Sequence, residues 1–373
     1  MLRKMKLAKH SVLQYDHCKY IASKLFIPTD EASMNGLLHF MHKDLGILMY
    51  FPEVPCLKHL VICDPAVVFT AISEIIIPSF TNDAITVTDK AFLHFKKHGV
   101  FAYQTVDDLT KKKEDFLESK QLVPLLQHLG VIAPIQFSDQ DSKSGKKFEC
   151  QLDHDCMQDS QHCIHAEYII PCVIKGTTSA EAEAIDQHCS KNCMIAPLKI
   201  AFECKFAPMG GFCYLFTKLL TEKSSDWKPY LPEIHVPDSK CPINRLLRRN
   251  KVTFLVDQKF FVTFVASATD FKVFIVRGDS NDQTGYEFVC HKVRNAIKNA
   301  LSTCPNRQVR NFKIAFRCNG HTRGYRHDEH LMIVNQKSIN SAKITAVCDK
   351  EKRKVDIDPD DISIMVWFKV GSN

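Results

Sequence analysis

Glycine is scarce in this chain, and its scarcity restricts the chemistry that the chain can carry. Only 13 of the 373 residues are glycine, whereas loops that cradle phosphate groups depend on closely spaced glycines. No G-x-x-x-x-G-K-S/T segment occurs; the nearest imitation, Lys143–Lys147, lacks the first glycine and the final hydroxyl. The signature segments of a protein kinase are missing as well. The sequence therefore argues against a nucleotide site of either kind.

Long apolar runs are also missing. The most apolar stretch, Leu60–Pro78, is interrupted by Asp64, Pro65 and Glu74, so it falls short of the ~20 apolar residues that span a bilayer. The basic segment Met1–His10 is not followed by the apolar stretch of a secretory signal. With 16 cysteines in 373 residues, the chain is too long and too poor in cysteine for a disulfide scaffold. We therefore expect a cytoplasmic protein with mostly buried thiols and no membrane partner.

What is present is an ordinary globular composition rich in phenylalanine. Hydrophobic residues make up 45% and charged residues 24% of the chain, and 25 residues are phenylalanine against 2 tryptophans. These values exclude a disordered chain. The net charge of +7 is a mild excess that permits contact with acidic surfaces but does not by itself indicate nucleic acid. The length favours two or three domains.

The first predicted domain, 12–136, alternates short helices with short strands. Asp30 and Asp64 stand where helix N-caps are expected, and Gly46 suits a helix C-terminus. The runs Ile47–Phe51 and Leu60–Cys63 predict a two-strand ribbon. Helices that lead into such a ribbon suggest a winged-helix-like N-terminal sub-domain. A nucleic-acid-binding winged helix remains the alternative, although the helix after Asp64 carries no Arg or Lys.

Two further regions follow. Residues 137–194 form a polar, Cys- and His-bearing insert with one strand at 167–171 and a linker. Residues 195–370 read as a mainly antiparallel α+β sub-domain, in which Lys251–Val256, Phe260–Ser267 and Phe271–Arg277 form a meander before a helix at Tyr286–Leu301. The predicted fold class is therefore mixed α+β, with a winged-helix-like first part and an antiparallel second part.

Seven segments in a characteristic order resemble one family. They are Leu37–Phe51, Leu60–Pro65, Leu125–Ile132, Tyr168–Cys172, Leu198–Phe202, Ala207–Phe212 and Arg248–Val252. The series resembles the COR ("C-terminal of Roc") domain of the Roco proteins, over about 12–280 of the sequence. The resemblance implies a winged-helix-bearing first half and an α/β second half that mediates dimerisation. Roco proteins carry a GTPase domain immediately before COR, and this sequence contains none. The resemblance therefore implies either a fragment or a COR unit without its GTPase.

Two groups of Cys and His residues are candidate zinc ligands, although both have alternatives. Cys318, His321, His327 and His330 lie close together in the sequence. One Cys with three His is an uncommon zinc set, and the arginines around it would repel a cation, so a polar surface loop is the alternative. The second group lacks the Cys-x2-Cys spacing typical of zinc sites. Its members are Cys150, Cys156, Cys163 and His165, with Cys189 and Cys193 as further candidates.

A basic cluster is the remaining candidate site. Arg245, Arg248, Arg249 and Lys251 run into a predicted strand, where they either form a solvated strand entrance or contact an acidic partner such as a GTPase domain. No catalytic residue and no cofactor is predicted; a cysteine hydrolase would require a Cys–His pair that no motif marks. The sequence thus predicts a non-catalytic interaction and dimerisation module of intracellular signal transduction. Its expected partner is a second copy or a Roc-type GTPase domain.

Overall fold

The computed structural model describes most of the chain in two compact units. The described residues are 11–76, 99–101, 103, 106, 117–134, 168–174, 176, 187, 193–204, 206–221, 227–229, 249–257, 259–277, 285–317, 331–335, 344–348, 354–357 and 361–368. Of these, the residues up to Val173 belong to the first unit and those from Ile174 onward to the second. The fold is mixed α+β, as the sequence predicts.

The first unit contains helices and very short strands. Its elements are β1 (Val12–Gln14), α1 (Tyr15–Ser23), α2 (Glu31–Lys43), β2 (Leu60–Ile62), α3 (Ala66–Ile76), β3 (Val100–Phe101), α4 (Ser119–His128), β4 (Ala133–Pro134) and β5 (Tyr168–Ile169). Strands β1 and β2 pair antiparallel, and β5 lies between β3 and β4 in a small antiparallel sheet.

Local side-chain chemistry accounts for the helix ends. A carboxylate oxygen of Asp30 accepts a hydrogen bond from the Ser33 backbone N–H at 2.9 Å, and one of Asp64 accepts from Ala66 N–H at 3.0 Å. These contacts satisfy N–H groups that have no partner within the helix. Gly46, with φ +62°, adopts the left-handed conformation expected three residues after α2. The caps predicted at Asp30 and Asp64 are confirmed.

The predicted ribbon differs from the one observed. Ile47–Phe51 is not a strand; it contributes one antiparallel bridge, from Met49 to Ile62. Strand β2 pairs instead with β1, a segment at which no strand was predicted. The reason is that short apolar runs acquire their partner from the tertiary fold, and periodicity over five residues does not specify that partner.

Strand β2 separates two hydrophobic clusters of the first unit. Val61 packs with residues of α1 and α2, whereas Leu60 and Ile62 pack with residues of α3, α4 and the small sheet. Within the first cluster, the Asn35 side-chain oxygen accepts hydrogen bonds from the Tyr50 hydroxyl at 2.7 Å and the Tyr15 hydroxyl at 3.1 Å. Burial, assisted by the neighbouring Tyr15, raises the pKa of Tyr50 to about 12.

The second unit is built on one antiparallel sheet. Nine of the described strands form it, in the order β14-β13-β12-β11-β6-β10-β9-β8-β7. Their bounds are β6 Leu198–Ala201, β7 Trp227–Pro229, β8 Lys251–Val256, β9 Phe260–Ala266, β10 Asp270–Arg277, β11 Lys313–Arg317, β12 Leu331–Val334, β13 Thr345–Cys348 and β14 Lys354–Asp356. The predicted meander β8-β9-β10 is confirmed.

Helices cover one face of this sheet. They are α5 (Met209–Thr221), α6 (Tyr286–Ser302), α7 (Arg307–Arg310) and α8 (Ile362–Met365). Phe212 of α5 meets Phe271 of β10 edge-to-face, with ring centroids 5.2 Å apart, and Phe216 meets Phe254 of β8 in the same way at 6.2 Å. The strand residues on this face are apolar and buried, as expected for a sheet side packed on helices.

The last described residues, 361–368, are hydrogen-bonded to the rest of the second unit. The Trp367 indole N–H donates to the Ala196 carbonyl at 2.9 Å, while the Trp367 carbonyl accepts from the Arg294 guanidinium at 2.8 Å. Burial lowers the pKa of Arg294 from its ordinary value, and the carbonyl contact compensates part of that loss of solvation. These bonds attach the segment after α8 to both α6 and the residues that precede β6.

Candidate functional site

The predicted zinc ligands lie almost entirely outside the described residues. Cys318, His321, His327 and His330 are all outside, as are Cys150, Cys156, Cys163, His165 and Cys189. Cys193 is described: its thiol lies 3.5 Å from the Ile275 carbonyl oxygen and packs near Val265 and Phe274. Within the part of the chain that the structure describes, no three His, Cys, Asp or Glu side chains are grouped to hold a metal ion.

The predicted basic cluster divides between surface and interior. Arg249 is exposed in the turn before β8, and its Nη2 lies 3.6 Å from where a Cβ on Gly176 would stand. Lys251 opens β8 and is only 2% exposed. Arg245 and Arg248 lie outside the described residues. An acidic partner could therefore reach Arg249 directly, whereas Lys251 belongs to the interior of the second unit.

Lys251 is part of a polar row on the sheet face opposite α5. The antiparallel registers align Lys251 with Val265, Val265 with Lys272, Lys272 with Lys199 and Lys199 with Ala315. The Lys199 ammonium lies 3.8 Å from an Asp270 carboxylate oxygen, and both side chains are 5% exposed. Lysine is rarely buried so deeply unless it is paired, so these groups help to define the strand register.

A threonine pair continues the polar character of this face. The Thr253 and Thr263 hydroxyls lie 3.0 Å apart across β8 and β9, and both residues are buried. Sequence reasoning missed the face because β6, which supplies Lys199, is distant in the chain from the β8-β9-β10 meander that supplies the other polar residues. The one usable signal is the alternation of polar and apolar residues in β8, with Lys251 and Thr253 on one side and Val252 and Phe254 on the other.

Three buried thiols are poorly suited to nucleophilic chemistry. Burial raises the pKa of Cys18 to about 12, with the nearby Cys63 adding to the effect. Burial also raises the pKa of Cys290 and of Cys304, and at Cys304 the opposing influence of Arg310 and Lys218 is smaller. Because the thiolate is the reactive form, these three cysteines behave as packing residues.

Ser267 lies against a carboxylate, but the arrangement belongs to a turn. Its hydroxyl donates to an Asp270 carboxylate oxygen at 2.6 Å and accepts from the Asp270 backbone N–H at 3.1 Å. A serine nucleophile needs a base that takes its proton and a third group that orients the base. Ser267 instead closes the β9–β10 connection by local hydrogen bonds, as serine does in many turns.

Exposed aromatic residues are the clearest surface feature of both units. Six aromatic side chains among the described residues are at least half exposed, and Phe26 reaches 98%. They are Tyr20, Phe26, Phe40 and Phe69 in the first unit, and Phe206 and Phe288 in the second. Sequence reasoning could not identify them, because core and surface phenylalanines look alike without a fold. Aromatic side chains are enriched in the surfaces through which proteins contact each other.

Comparison of the chain with protein families and with curated proteins found no match in either case. In the described residues, no helix combines the length and the apolar character needed to cross a bilayer.

Proposed function

We propose that this chain is a non-catalytic protein–protein interaction and dimerisation module of the COR type, with a winged-helix-like first half. It acts in intracellular signalling by self-association and by docking on a Roc-type GTPase domain. A partner that binds one nucleotide state of the GTPase more tightly than the other shifts the populations of those states.

The observation that carries the proposal is the exposure of aromatic side chains in each unit. Phe26, Phe69, Phe206 and Phe288 are 56–98% exposed on otherwise well-packed units. Burying such side chains between molecules removes apolar surface from water and contributes to binding. The resemblance of the seven segments to COR domains supports the same role, because their described residues form strands, helix ends and the connections between them.

A nucleic-acid-binding role receives less support from α3, the helix that a winged helix would place in a groove. Its exposed side chains over the first turns are Ala66, Phe69 and Thr70. None of these is basic, and recognition helices contact phosphates and base edges largely through Arg, Lys and other polar side chains. An exposed phenylalanine at this position fits a protein partner better.

Size-exclusion chromatography with light scattering tests the proposal. The full chain is run at several concentrations, alone and with an added Roc-type GTPase domain. We expect the mass to rise with concentration, or a complex with the GTPase domain to form, and Phe69→Ser with Phe288→Ser to weaken the association. Lys58→Ser, at an exposed position, is the control. A monomer at every concentration that ignores the GTPase domain would contradict the proposal.

A further inference from the structure

The nine-stranded sheet of the second unit ends in two edge strands that differ in their capacity to pair with another chain. Among the described strands, β14 is the last on one side and β7 the last on the other. An edge strand presents backbone N–H and C=O groups that a further strand can satisfy. Proline has no N–H to donate, and β7 contains Pro229, whereas β14 contains no proline. Of the two edges, β14 is therefore the better template for pairing.

The backbone groups of Lys354 and Asp356 are the ones directed towards the open side of β14. In the pair that β14 forms with β13, Ile357 N–H donates to the Ile344 carbonyl at 3.0 Å. Alternate residues of an antiparallel strand exchange hydrogen bonds with the same neighbour, so Val355 also directs its backbone groups at β13. The N–H and C=O groups of Lys354 and Asp356 consequently point away from β13.

A second copy of β14 fits this edge in one antiparallel register. When two copies meet about a two-fold axis at Val355, Lys354 of one copy lies directly opposite Asp356 of the other, and the axis generates the same pair again. Each pair can exchange two backbone hydrogen bonds, because both of its members direct their N–H and C=O groups to the open edge. The register that satisfies the backbone is thus also the register that pairs opposite charges.

The charges along the sequence around β14 have the same two-fold complementarity. Four of the five residues 350–354 are Lys or Arg, and four of the six residues 356–361 are Asp. Antiparallel pairing brings the basic side of each copy to the acidic side of the other, whereas parallel pairing in register would bring like charges together. The adjacent strand β13 adds no competing charge, because its residues Thr345–Cys348 are all uncharged.

Lys354 is accessible for this contact. Its side chain is exposed, and it forms no ion pair with a carboxylate in the described part of the chain. Lysine on an edge strand usually discourages pairing with other chains. In the two-fold register it meets an aspartate instead, so the charge that repels most strands favours a second copy of this one.

We infer that two copies of this chain associate by antiparallel pairing of β14 with β14, which joins their nine-stranded sheets across a two-fold axis at Val355. This inference rests on the proposed self-association and adds to it the strand and the register through which the copies meet. The contact is short and partly ionic, so the association is weak and depends on both protein concentration and salt.

Charge reversal tests the register, with sedimentation equilibrium of the full chain as the measurement. Lys354→Asp alone and Asp356→Lys alone each place like charges opposite one another, so each variant should dimerise at least about tenfold more weakly than the natural chain. An equimolar mixture of the two variants restores the opposite-charge pairs, and so does the double variant. Both should recover the mass of the natural dimer, and this recovery also shows that the single variants are folded.

The matched control is Lys259→Asp, which makes the same change of charge at an exposed position in the turn between β8 and β9. Because β8 and β9 lie near the opposite edge of the sheet, this variant should dimerise as the natural chain does. A weakening as large as that of Lys354→Asp would mean that total charge, and not pairing at β14, controls the association, and would overturn the inference.

Three other results would also overturn it: a natural chain that stays monomeric at every concentration, single charge variants that dimerise as tightly as the natural chain, or a mixture no heavier than its separate components. If the charge variants dimerise normally, the proposed function survives through another surface. It also survives if the natural chain is monomeric but binds the GTPase domain. If the natural chain does neither, the proposed function itself fails.

Discussion

Phe26 and Asp30 lie in the connection between α1 and α2. The role of Asp30 can be predicted from the sequence, whereas the backbone conformation of Phe26 cannot. Asp30 follows a rule that depends only on side-chain chemistry, because a short carboxylate before a helix accepts from its free N–H groups. Phe26 follows no such rule: nothing in the residue type predicts a left-handed φ of +57°. Its conformation arises from the hydrogen bonds at the end of α1 and from the packing of the residues on either side.

Replacing Phe26 by glycine should stabilise the protein. The left-handed conformation is unfavourable for a residue with a Cβ by about 1 kcal/mol or slightly more, and glycine removes that penalty. We expect the free energy of unfolding in urea to rise by roughly 1 kcal/mol. Phe26→Ala retains the Cβ and is the control; an equal rise in that variant would show that removal of the exposed ring, and not backbone strain, is responsible.

Asp30 should make stability depend on pH in acid. The hydrogen bonds from Ser33 lower the pKa of Asp30 below its ordinary value. A lowered pKa in the folded state means that the stabilisation is present above the ordinary aspartate pKa of about 3.9 and is lost as the pH falls through the folded value. The urea concentration at the midpoint of unfolding should therefore be higher for the natural chain than for Asp30→Asn at neutral pH. In acid the two midpoints should no longer differ.

The Asn variant serves as the comparison because it keeps an oxygen acceptor at the cap but cannot titrate. Asp30→Ala removes the acceptor and should lower the midpoint at neutral pH by more than Asp30→Asn does. If the difference in midpoint between the natural chain and Asp30→Asn stayed constant down to strong acid, the pKa of Asp30 would not be linked to stability as described.

The sequence predicts individual strands and helices better than it predicts which of them contact each other. Each strand of the β8-β9-β10 meander is connected to the next by a short turn, and the sequence predicts the strands and their antiparallel order. Strand β6 pairs with both β10 and β11, across sequence separations that no local pattern encodes. The contact between α5 and α7 is of the same kind, since it depends on Gly211 lying against Val309.

Gly211→Ala should destabilise the second unit. A Cβ at this position would lie 2.7 Å from Val309 Cγ2, so α5 or α7 must shift. We expect a loss of roughly 1–3 kcal/mol, as for other overpacked interiors. Gly210→Ala is the matched control, because a Cβ there has no neighbour within 4 Å and alanine favours a helix by up to about 1 kcal/mol.

A double variant makes the test specific. Val309→Ala removes the two methyl groups that the new Cβ would meet, so Gly211→Ala with Val309→Ala should lose less than the sum of the two single losses. Urea unfolding of the four proteins measures this coupling. Additive losses would mean that the two residues do not meet in the folded protein.

At the scale of the whole molecule, each of the two units buries its own set of apolar side chains. This burial accounts for the 45% of hydrophobic residues in the sequence. Phenylalanine is used largely as a core residue among the described residues. The sequence predicts mostly buried thiols, whereas five of the ten described cysteines are buried, four are half-buried and Cys56 is exposed. Which thiols are buried could be read only from the fold, because Cys18 and Cys56 occur in similar mixed segments.

Thiol modification should follow this distribution. Cys56 is exposed, whereas Cys18 and Cys290 are buried and burial raises the pKa of each. With iodoacetamide under native conditions, we expect Cys56 to react at least about a hundredfold faster than the other two. Peptide mass spectrometry resolves each site, and unfolding in urea should bring the rates together. Native modification of Cys18 at the rate of Cys56 would contradict the packing described here.

The sequence alone determined the features that depend on neighbouring residues: the caps at Asp30 and Asp64, the three-strand meander and the mixed α+β class. Only the tertiary structure decided which strand pairs with β2, that Lys251 is buried while Arg249 is exposed, and that Tyr20 and Phe26 face solvent. The physical reason is the range of the interactions. Caps and periodicity act within a few residues, whereas burial and strand register are set by partners far along the chain, and the same residue type satisfies either environment.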